Sequence, residues 1–136
     1  MFSEDCVNGS AKLDADGIPY LFWAGKWSPI CGHWFWDNQE GAKAFCRKLG
    51  YSNGALKIPK TGKQNEKYEI DAIEVGRCNV DEAIDSCTAK NNHYMNTENC
   101  KATSHVKIII TCSGHSSGIR KTSCTGKMRM ETRLEN

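Results

Sequence analysis

Two short apolar runs near the N-terminus predict a β-hairpin. Residues 18–23 read IPYLFW and residues 27–31 read WSPIC, and both runs are rich in the aromatic and β-branched side chains that favour strands. Glycine-containing pairs precede and follow the first run, at Asp16-Gly17 and Ala24-Gly25. We therefore expect two strands joined by a turn at Gly25-Lys26.

The apolar spacing changes to three and four residues after position 37 and predicts an amphipathic helix. The stripe expected to be buried consists of Ala42, Phe45, Cys46 and Leu49. Asp37 followed by Glu40 has the pattern of a capping box, and Gly50 stands where a helix C-terminus is expected. The outward side carries three basic residues, Lys43, Arg47 and Lys48.

The remaining segments are predicted from shorter patterns. We expect a loop over 52–67, a strand over 68–75, a short helical turn over 80–87, a strand over 105–112 and a flexible linker over 114–118. The buried face of the strand over 105–112 consists of Val106, Ile108, Ile110 and Cys112. Residues 127–135 alternate between apolar and charged, which predicts an edge strand or arm.

The chain has 136 residues, the size of one domain, and eight cysteines. No Cys-x-x-Cys pair occurs, and the even, widely spaced set favours disulfides over zinc. Disulfides require an oxidising compartment, so we predict a secreted or cell-surface protein. No apolar run approaches the ~18 residues of a membrane span. The first residues lack signal-peptide features, as expected of a mature chain, and Asn8-Gly9-Ser10 is a candidate glycosylation site.

Residues 27–37, WSPICGHWFWD, combine a cysteine, a histidine and four aromatic side chains. Cys31 and His33 could be a nucleophile and its base, or two zinc ligands. The alternative is a bridged Cys31 among packed rings. Core positions are then expected for Trp27 and Trp36, and protruding ones for His33, Trp34 and Phe35. An even cysteine set leaves no obvious free thiol and no other catalytic motif occurs, so we predict that the protein is not an enzyme.

Charge is arranged in blocks along a chain whose formal net charge is +2. Residues 43–67 are mainly basic, residues 69–98 are mainly acidic, and the segment from 115 onward is basic again. Such blocks can create surface patches of opposite sign, although a solvated loop is the simpler interpretation of any single block.

Four stretches carry motifs in a fixed order: GKWSPICGHWFWD from residue 25, AKAFCRKLGY from 42, RCNVDEAIDSC from 77 and IIITCSG from 108. Together they resemble the scavenger receptor cysteine-rich domain family, most specifically in the Cys-Arg-x-Leu-Gly core at 46–50. The resemblance implies an α+β fold in which a curved antiparallel β-sheet cradles one α-helix. It divides the chain into an N-terminal flank (1–16), the domain (17–114) and a basic, strand-like C-terminal extension (115–136).

The resemblance also implies a disulfide framework. Its three core bridges would be Cys31 with Cys100, Cys46 with Cys112, and Cys78 with Cys87. Tyr51 stands where the family's four-bridge variety has a further cysteine, so the three-bridge variety is expected. Cys6 and Cys124 are left over, and their pairing would tie the two flanks together.

Many members of the family bind calcium through two aspartates after the first core cysteine and an acid before the last. These places hold Gly32, His33, Ser104 and His105, which are poor ligands for a hard cation. Asp37 and Asp71 remain, but two separated carboxylates are weak evidence for a site. We expect no family-type calcium site and no cofactor. A transition metal on His33 and His105, whose positions should be neighbours, is conceivable, although we prefer to interpret the pair as a chance one.

The resemblance implies a binding function without catalysis, directed at polyanions, microbial surface polymers or proteins. A basic surface would suit a polyanion through Lys43, Arg47, Lys48, Lys57, Lys60 and Lys63. A merely soluble loop explains the same residues equally well, and sequence-specific nucleic-acid binding is not expected. Two alternatives remain, namely a self-assembling structural protein whose C-terminal strand joins a neighbouring sheet, and a secreted signal or toxin.

Overall fold

The structure, a computed structural model, describes residues 2–3, 6–61, 64–87, 95–116 and 128–129. Its strands in chain order are β1 (Phe2–Ser3), β2 (Ala11–Leu13), β3 (Pro19–Trp23), β4 (Lys26–Cys31), β5 (Tyr51–Lys57), β6 (Lys60–Thr61), β7 (Gln64–Asn65), β8 (Ile73–Glu74), β9 (Ile109–Ser116) and β10 (Met128–Arg129). The α-helix among these residues is α1 (Glu40–Lys48), and short 3-10 helices span Phe35–Asp37 and Ile84–Ser86.

The predicted hairpin is confirmed as β3 and β4, which form the centre of a four-stranded sheet in the order β2-β3-β4-β8. Its two-residue turn is Ala24-Gly25, one position earlier than predicted, because Lys26 already pairs with Trp23. Both turn residues have positive φ, 52° and 85°, which is the geometry that matches the twist of a tight hairpin. The Asn8 side chain accepts a hydrogen bond from the Ala24 N–H at 2.9 Å and supports this turn.

The predicted helix is confirmed as α1, and Ala42, Phe45 and Cys46 are fully buried as expected. The predicted capping box is wrong. Asp37 ends the preceding 3-10 helix, and the N-cap is Gln39, whose side chain instead bonds the main chain of Leu56. Gly50, with φ 97°, lies just past the helix end, where glycine is the favoured residue.

The predicted loop over 52–67 is wrong in two places, because β5 occupies Tyr51–Lys57 and pairs antiparallel with β9, and β6 pairs antiparallel with β7. The mixed polar sequence of β5 hides the strand, since only the side against α1 is covered. Gly54 lies on that side, where a Cβ atom would overlap the Cys46 sulfur and lie 2.8 Å from the Ala42 carbonyl oxygen. Close packing of helix on strand, rather than flexibility, explains this glycine.

Two other expectations are corrected in part. The strand over 68–75 is reduced to β8, which runs parallel to β4, because Tyr68 and Ala72 hydrogen-bond the main chain of irregular segments instead. The linker over 114–118 is strand through Ser116. In the tail, β10 pairs antiparallel with β1 of the same chain, and the remainder of 127–135 lies outside the described residues. The helical turn before Cys87 is confirmed as Ile84–Ser86.

The sheet separates two buried clusters. The larger one joins α1, β9 and the 3-10 helices through Phe35, Phe45, Ile84, Ile108 and Ile110. The smaller one consists of Ile18, Cys31, Tyr68, Ala72 and Cys100. Disulfides join Cys31 to Cys100, Cys46 to Cys112 and Cys78 to Cys87, which are the pairs that the family resemblance implies. Cys6 is also disulfide-bonded, and Cys124 lies outside the described residues.

The contact between Gly54 and α1 predicts that Gly54→Ala destabilises the domain. The added methyl group must displace the Cys46 sulfur or the helix backbone, and overpacking of this kind costs about 1–3 kcal/mol. Ala55→Ser, at the next, exposed position of β5, is the matched control and should change stability by less than about 0.5 kcal/mol. Urea unfolding of the oxidised protein measures both, and equal midpoints for the two variants would contradict this packing.

Candidate functional site

The stretch that follows β4 turns sharply away from the sheet. Gly32 is buried and its carbonyl accepts the Trp36 N–H at 2.8 Å, while Trp34 adopts φ 70°, a conformation that bulky residues rarely enter. Phe35 is fully buried, which corrects the expectation that it protrudes. Trp27 and Trp36 are half-buried rather than central to the core. His33 and Trp34 project at the rim of the domain.

His33 lies in a stack of three rings. Its imidazole is 4.8 Å from the Trp34 ring, at an interplanar angle of 18°, and 5.6 Å from the His105 ring, at 25°, measured between centroids. The two histidines come from segments 72 residues apart, 33 and 105, and the Cys31–Cys100 disulfide holds these segments together. The expected proximity of the two positions is therefore a feature of the structure.

A buried carboxylate lies beneath the stack. Glu74 in β8 is 3% exposed, and its Oε2 lies 3.7 Å from His33 Nδ1. Its other oxygen, Oε1, accepts a hydrogen bond from Asn99 Nδ2 at 2.9 Å, which fixes the orientation of the carboxylate. His33 Nδ1 is itself buried and has no hydrogen-bond partner. We call His33, Trp34, Glu74 and His105 the histidine cluster.

Glu74 and Asn99 were not found by sequence reasoning. The residues around Glu74 do not alternate between buried and exposed, since Ile73, Glu74 and Val75 are all buried, so the pattern gives no sign that this acid faces the core. A charged residue between two buried apolar ones, in a stretch too short for a helix, was the available signal.

Tyr68 holds the two segments of the cluster in place. Its buried hydroxyl donates to the Ile30 carbonyl at 2.8 Å and accepts the Ile108 N–H at 3.3 Å. Its main-chain N–H donates to the His105 carbonyl at 3.1 Å. Burial, the largest effect, raises the pKa of the Tyr68 hydroxyl far above its ordinary value, so the group stays protonated and keeps donating.

Nucleophilic chemistry at His33 is not supported by this geometry. Cys31, the thiol expected as its partner in that interpretation, is fully buried and bonded to Cys100. A nucleophilic cysteine needs a thiolate, which a disulfide sulfur cannot supply.

The positions at which the family resemblance implies calcium ligands, Gly32, His33, Ser104 and His105, offer no carboxylate. A side chain at Gly32 would overlap the Trp36 ring and lie 2.9 Å from Ile108, so no carboxylate fits there without rearrangement. Asp37 pairs with Arg77 at 3.3 Å, and Asp71 pairs with Lys101 at 3.7 Å and accepts the Ala102 N–H. These carboxylates have partners away from the histidine cluster, and a hard cation needs several oxygen ligands at one place.

The structure separates Lys57 from the three predicted basic residues on α1. Lys43 forms an ion pair with Glu40 at 3.5 Å, and Arg47 donates to the Glu82 carbonyl at 2.9 Å. Lys48 and Lys57 are exposed, but Lys57 leaves β5 on the side opposite Gly54 and therefore away from α1. The Lys60 side chain and Lys63 lie outside the described residues, so the full set stays a prediction.

Three acidic side chains line the same cavity as Arg47 and Lys48. A 280 Å³ cavity between α1 and the segment 81–85 is lined by these two residues together with Asp81, Glu82 and Asp85. Its floor contains the nearly buried side chains of Ala44 and Ile84. This end of α1 therefore has mixed charge, which the sequence blocks did not predict, since they place the two signs far apart along the chain.

The predicted glycosylation site lies on the surface beside the hairpin turn. Asn8 is exposed, and the hydroxyl of the almost fully buried Ser10 donates to the Val7 carbonyl at 2.8 Å. Modification of Asn8 stays a prediction.

The fold and the site define a small α+β domain stabilised by disulfides, with the partly exposed histidine cluster at its surface. The family model for the scavenger receptor cysteine-rich domain matches residues 9–113, and the chain belongs to this family. Domains of the family are extracellular or cell-surface recognition modules without catalytic activity. Searches of curated proteins and of solved structures found no match. None of the described helices is long and apolar enough to cross a membrane.

The role of Tyr68 predicts that Tyr68→Phe destabilises the domain and changes its response to alkaline pH. Loss of the hydroxyl leaves the Ile30 carbonyl and the Ile108 N–H unsatisfied, at a cost of about 1–3 kcal/mol near neutral pH. Above about pH 10 an unfolded tyrosine loses its proton while the folded Tyr68 keeps it, so wild-type stability falls as pH rises, by up to ~1.4 kcal/mol per pH unit. The variant lacks this contribution.

Urea unfolding of both proteins from neutral pH to about pH 11 measures the effect, and the difference between them cancels the other titrating groups. The gap between wild type and variant should narrow above about pH 10. A constant gap would show that the Tyr68 hydroxyl titrates normally.

Proposed function

We propose that this chain is an extracellular recognition domain that binds an anionic polymer through two exposed cations, Lys48 at the end of α1 and Lys57 at the end of β5. The observation that carries the proposal is the exposure of Lys48 and Lys57, neither of which forms an ion pair with another described residue. Exposed, unneutralised cations attract repeated sulfates or phosphates, with an affinity that falls as salt rises.

The spacing of these cations suits a polymer better than a small anion. Lys48 ends α1, and Lys57 ends β5, which returns along the helix so that Leu56 meets Gln39 at the other end. Nine helical residues span about 13 Å. Because Lys48 is on α1 and Lys57 is on the side of β5 that faces away from α1, a single small anion does not contact both, whereas an extended polymer that crosses the edge of the strand can.

A protein ligand is the second candidate, and the mixed-charge cavity favours it. Asp81, Glu82 and Asp85 would repel a uniform polyanion at this end of α1, whereas a protein surface can offer both signs and an apolar side chain for the Ala44–Ile84 floor. Neutralisation of the acids therefore separates the two candidates.

The polyanion proposal predicts salt-sensitive retention on immobilised heparin. We expect Lys48→Gln/Lys57→Gln to elute at lower salt than wild type, with the slope of log affinity against log salt reduced by about two. Lys26→Gln/Lys67→Gln is the matched control, because it removes two other exposed lysines and the same net charge. Equal elution of the two double variants would overturn the assigned surface.

The acidic residues give a second measurement on the same column. If Arg47 and Lys48 meet the polymer, Asp81→Asn/Asp85→Asn should raise the salt needed for elution, because two repulsive charges disappear. The protein ligand becomes the better candidate if two results are found together: wild type elutes at the salt expected from its net charge alone, and this variant elutes at the same salt as wild type.

A further inference from the structure

The histidine cluster contains three side chains of metal-binding type at one place on the rim. His33 and His105 offer imidazole nitrogens, and Glu74 offers a carboxylate oxygen oriented by Asn99. Two imidazoles and one carboxylate are a ligand set that zinc uses in proteins, with a fourth position left for water or a ligand. Hard cations such as calcium prefer a set made of oxygens alone.

The spacing of His33 Nδ1 and Glu74 Oε2 fits a shared ion better than a hydrogen bond, whereas no His105 nitrogen lies within 4.8 Å of both of these atoms as the rings stand. His33 Nδ1 and Glu74 Oε2 are 3.7 Å apart, too far for a hydrogen bond, which needs about 2.7–3.2 Å. Two ligand atoms on one tetrahedral zinc lie about 3.3 Å apart, and the ring centroids of two bound imidazoles lie about 5 Å apart. The observed centroid distance for His33 and His105 is 5.6 Å.

Burial makes this spacing informative. His33 Nδ1 is buried without a hydrogen-bond partner, and it is directed at a carboxylate that is 3% exposed. A buried polar atom left unpaired costs free energy, and buried carboxylates in proteins are normally paired or coordinate a metal. One cation between Nδ1 and Oε2 gives the buried nitrogen a partner and neutralises the buried carboxylate.

We propose that His33, Glu74 and His105 bind a divalent first-row transition metal, with zinc as the test ion. His105 completes the site by turning its half-buried ring so that a nitrogen faces the ion, and no hydrogen bond from another described residue holds that side chain in place. Asn99 is a positioning residue that orients Glu74. The nearby Cys31 and Cys100 sulfurs, within 4.8 Å of a His105 nitrogen, are bonded to each other and are not ligands.

The test is a calorimetric titration of the intact, oxidised protein with zinc chloride, repeated with calcium chloride. We expect one zinc ion per chain and far weaker binding of calcium. His105→Phe keeps an aromatic ring in the stack but removes the ligand, and we expect it to weaken zinc binding by at least about 100-fold. Asn99→Ala should weaken it by about 10–100-fold, as loss of an orienting partner does in other metal sites.

Two further variants complete the design. Glu74→Gln removes the buried ligand, and its fold is checked by circular dichroism, since a change at so buried a position can unfold the domain. Asp71→Asn is the matched control, because it neutralises a carboxylate that pairs with Lys101 outside the cluster, and it should bind zinc like wild type. The decisive variant is His105→Phe, because position 105 is half-exposed and we expect this variant to fold.

Three results would overturn the proposal. The first is the absence of zinc binding to wild type up to millimolar concentration. The second is unchanged binding in folded His105→Phe, which would place the ion elsewhere. The third is calcium binding as tight as zinc binding, which would point to an oxygen site. None of these depends on retention by heparin, so the metal site and the polyanion surface can fail separately.

Discussion

The Tyr68 hydroxyl and the Cys31–Cys100 disulfide form the constraint on which the rim of this domain depends. The hydroxyl joins β4 to the segment before β9 through Ile30 and Ile108, and the disulfide joins the end of β4 to a stretch with no regular structure. Because a protonated, buried hydroxyl with both partners satisfied resists opening, irregular segments can keep a fixed position. His33 and His105 face each other as a consequence.

The elements predicted correctly from the sequence are those whose cause is local. The hairpin follows from a turn pair with positive φ, and α1 follows from a three-and-four spacing that buries Phe45 and Cys46. The predictions that were wrong concern segments whose structure depends on partners distant in sequence. β5 exists because β9 and α1 cover it, and its Gly54, which resembles a loop residue, is required by the Cys46 sulfur. The capping box predicted at Asp37 failed because Asp37 ends the 3-10 helix before α1, whose N-cap is Gln39.

The candidate site also has one part that could be predicted from the sequence and another that depends on partners distant in sequence. The family resemblance implied that positions 33 and 105 are neighbours, and the two rings are stacked. It did not reveal Glu74, because a parallel pairing of two residues, Ile30 with Ile73 and Cys31 with Glu74, carries this acid under the stack. Nor did the charge blocks reveal that Arg47 and Asp81 line one cavity. The sequence shows the sign of each block of charged residues, whereas the fold determines which blocks lie next to each other.

The strained backbone of Trp34 connects the scaffold to its chemistry. A non-glycine residue held at positive φ costs about 1–3 kcal/mol and persists only where its surroundings fix it. Here the Gly32 carbonyl accepts the Trp36 N–H and the disulfide fixes Cys31, so Trp34 lies between two fixed points of the main chain. The result is a Trp34 ring laid against His33, which limits the rotamers open to that imidazole. His33 and Glu74 are already held in position, so His105 is the side chain that must move to complete the proposed metal site. The conformational free energy that this site costs is therefore that of reorienting one half-exposed ring.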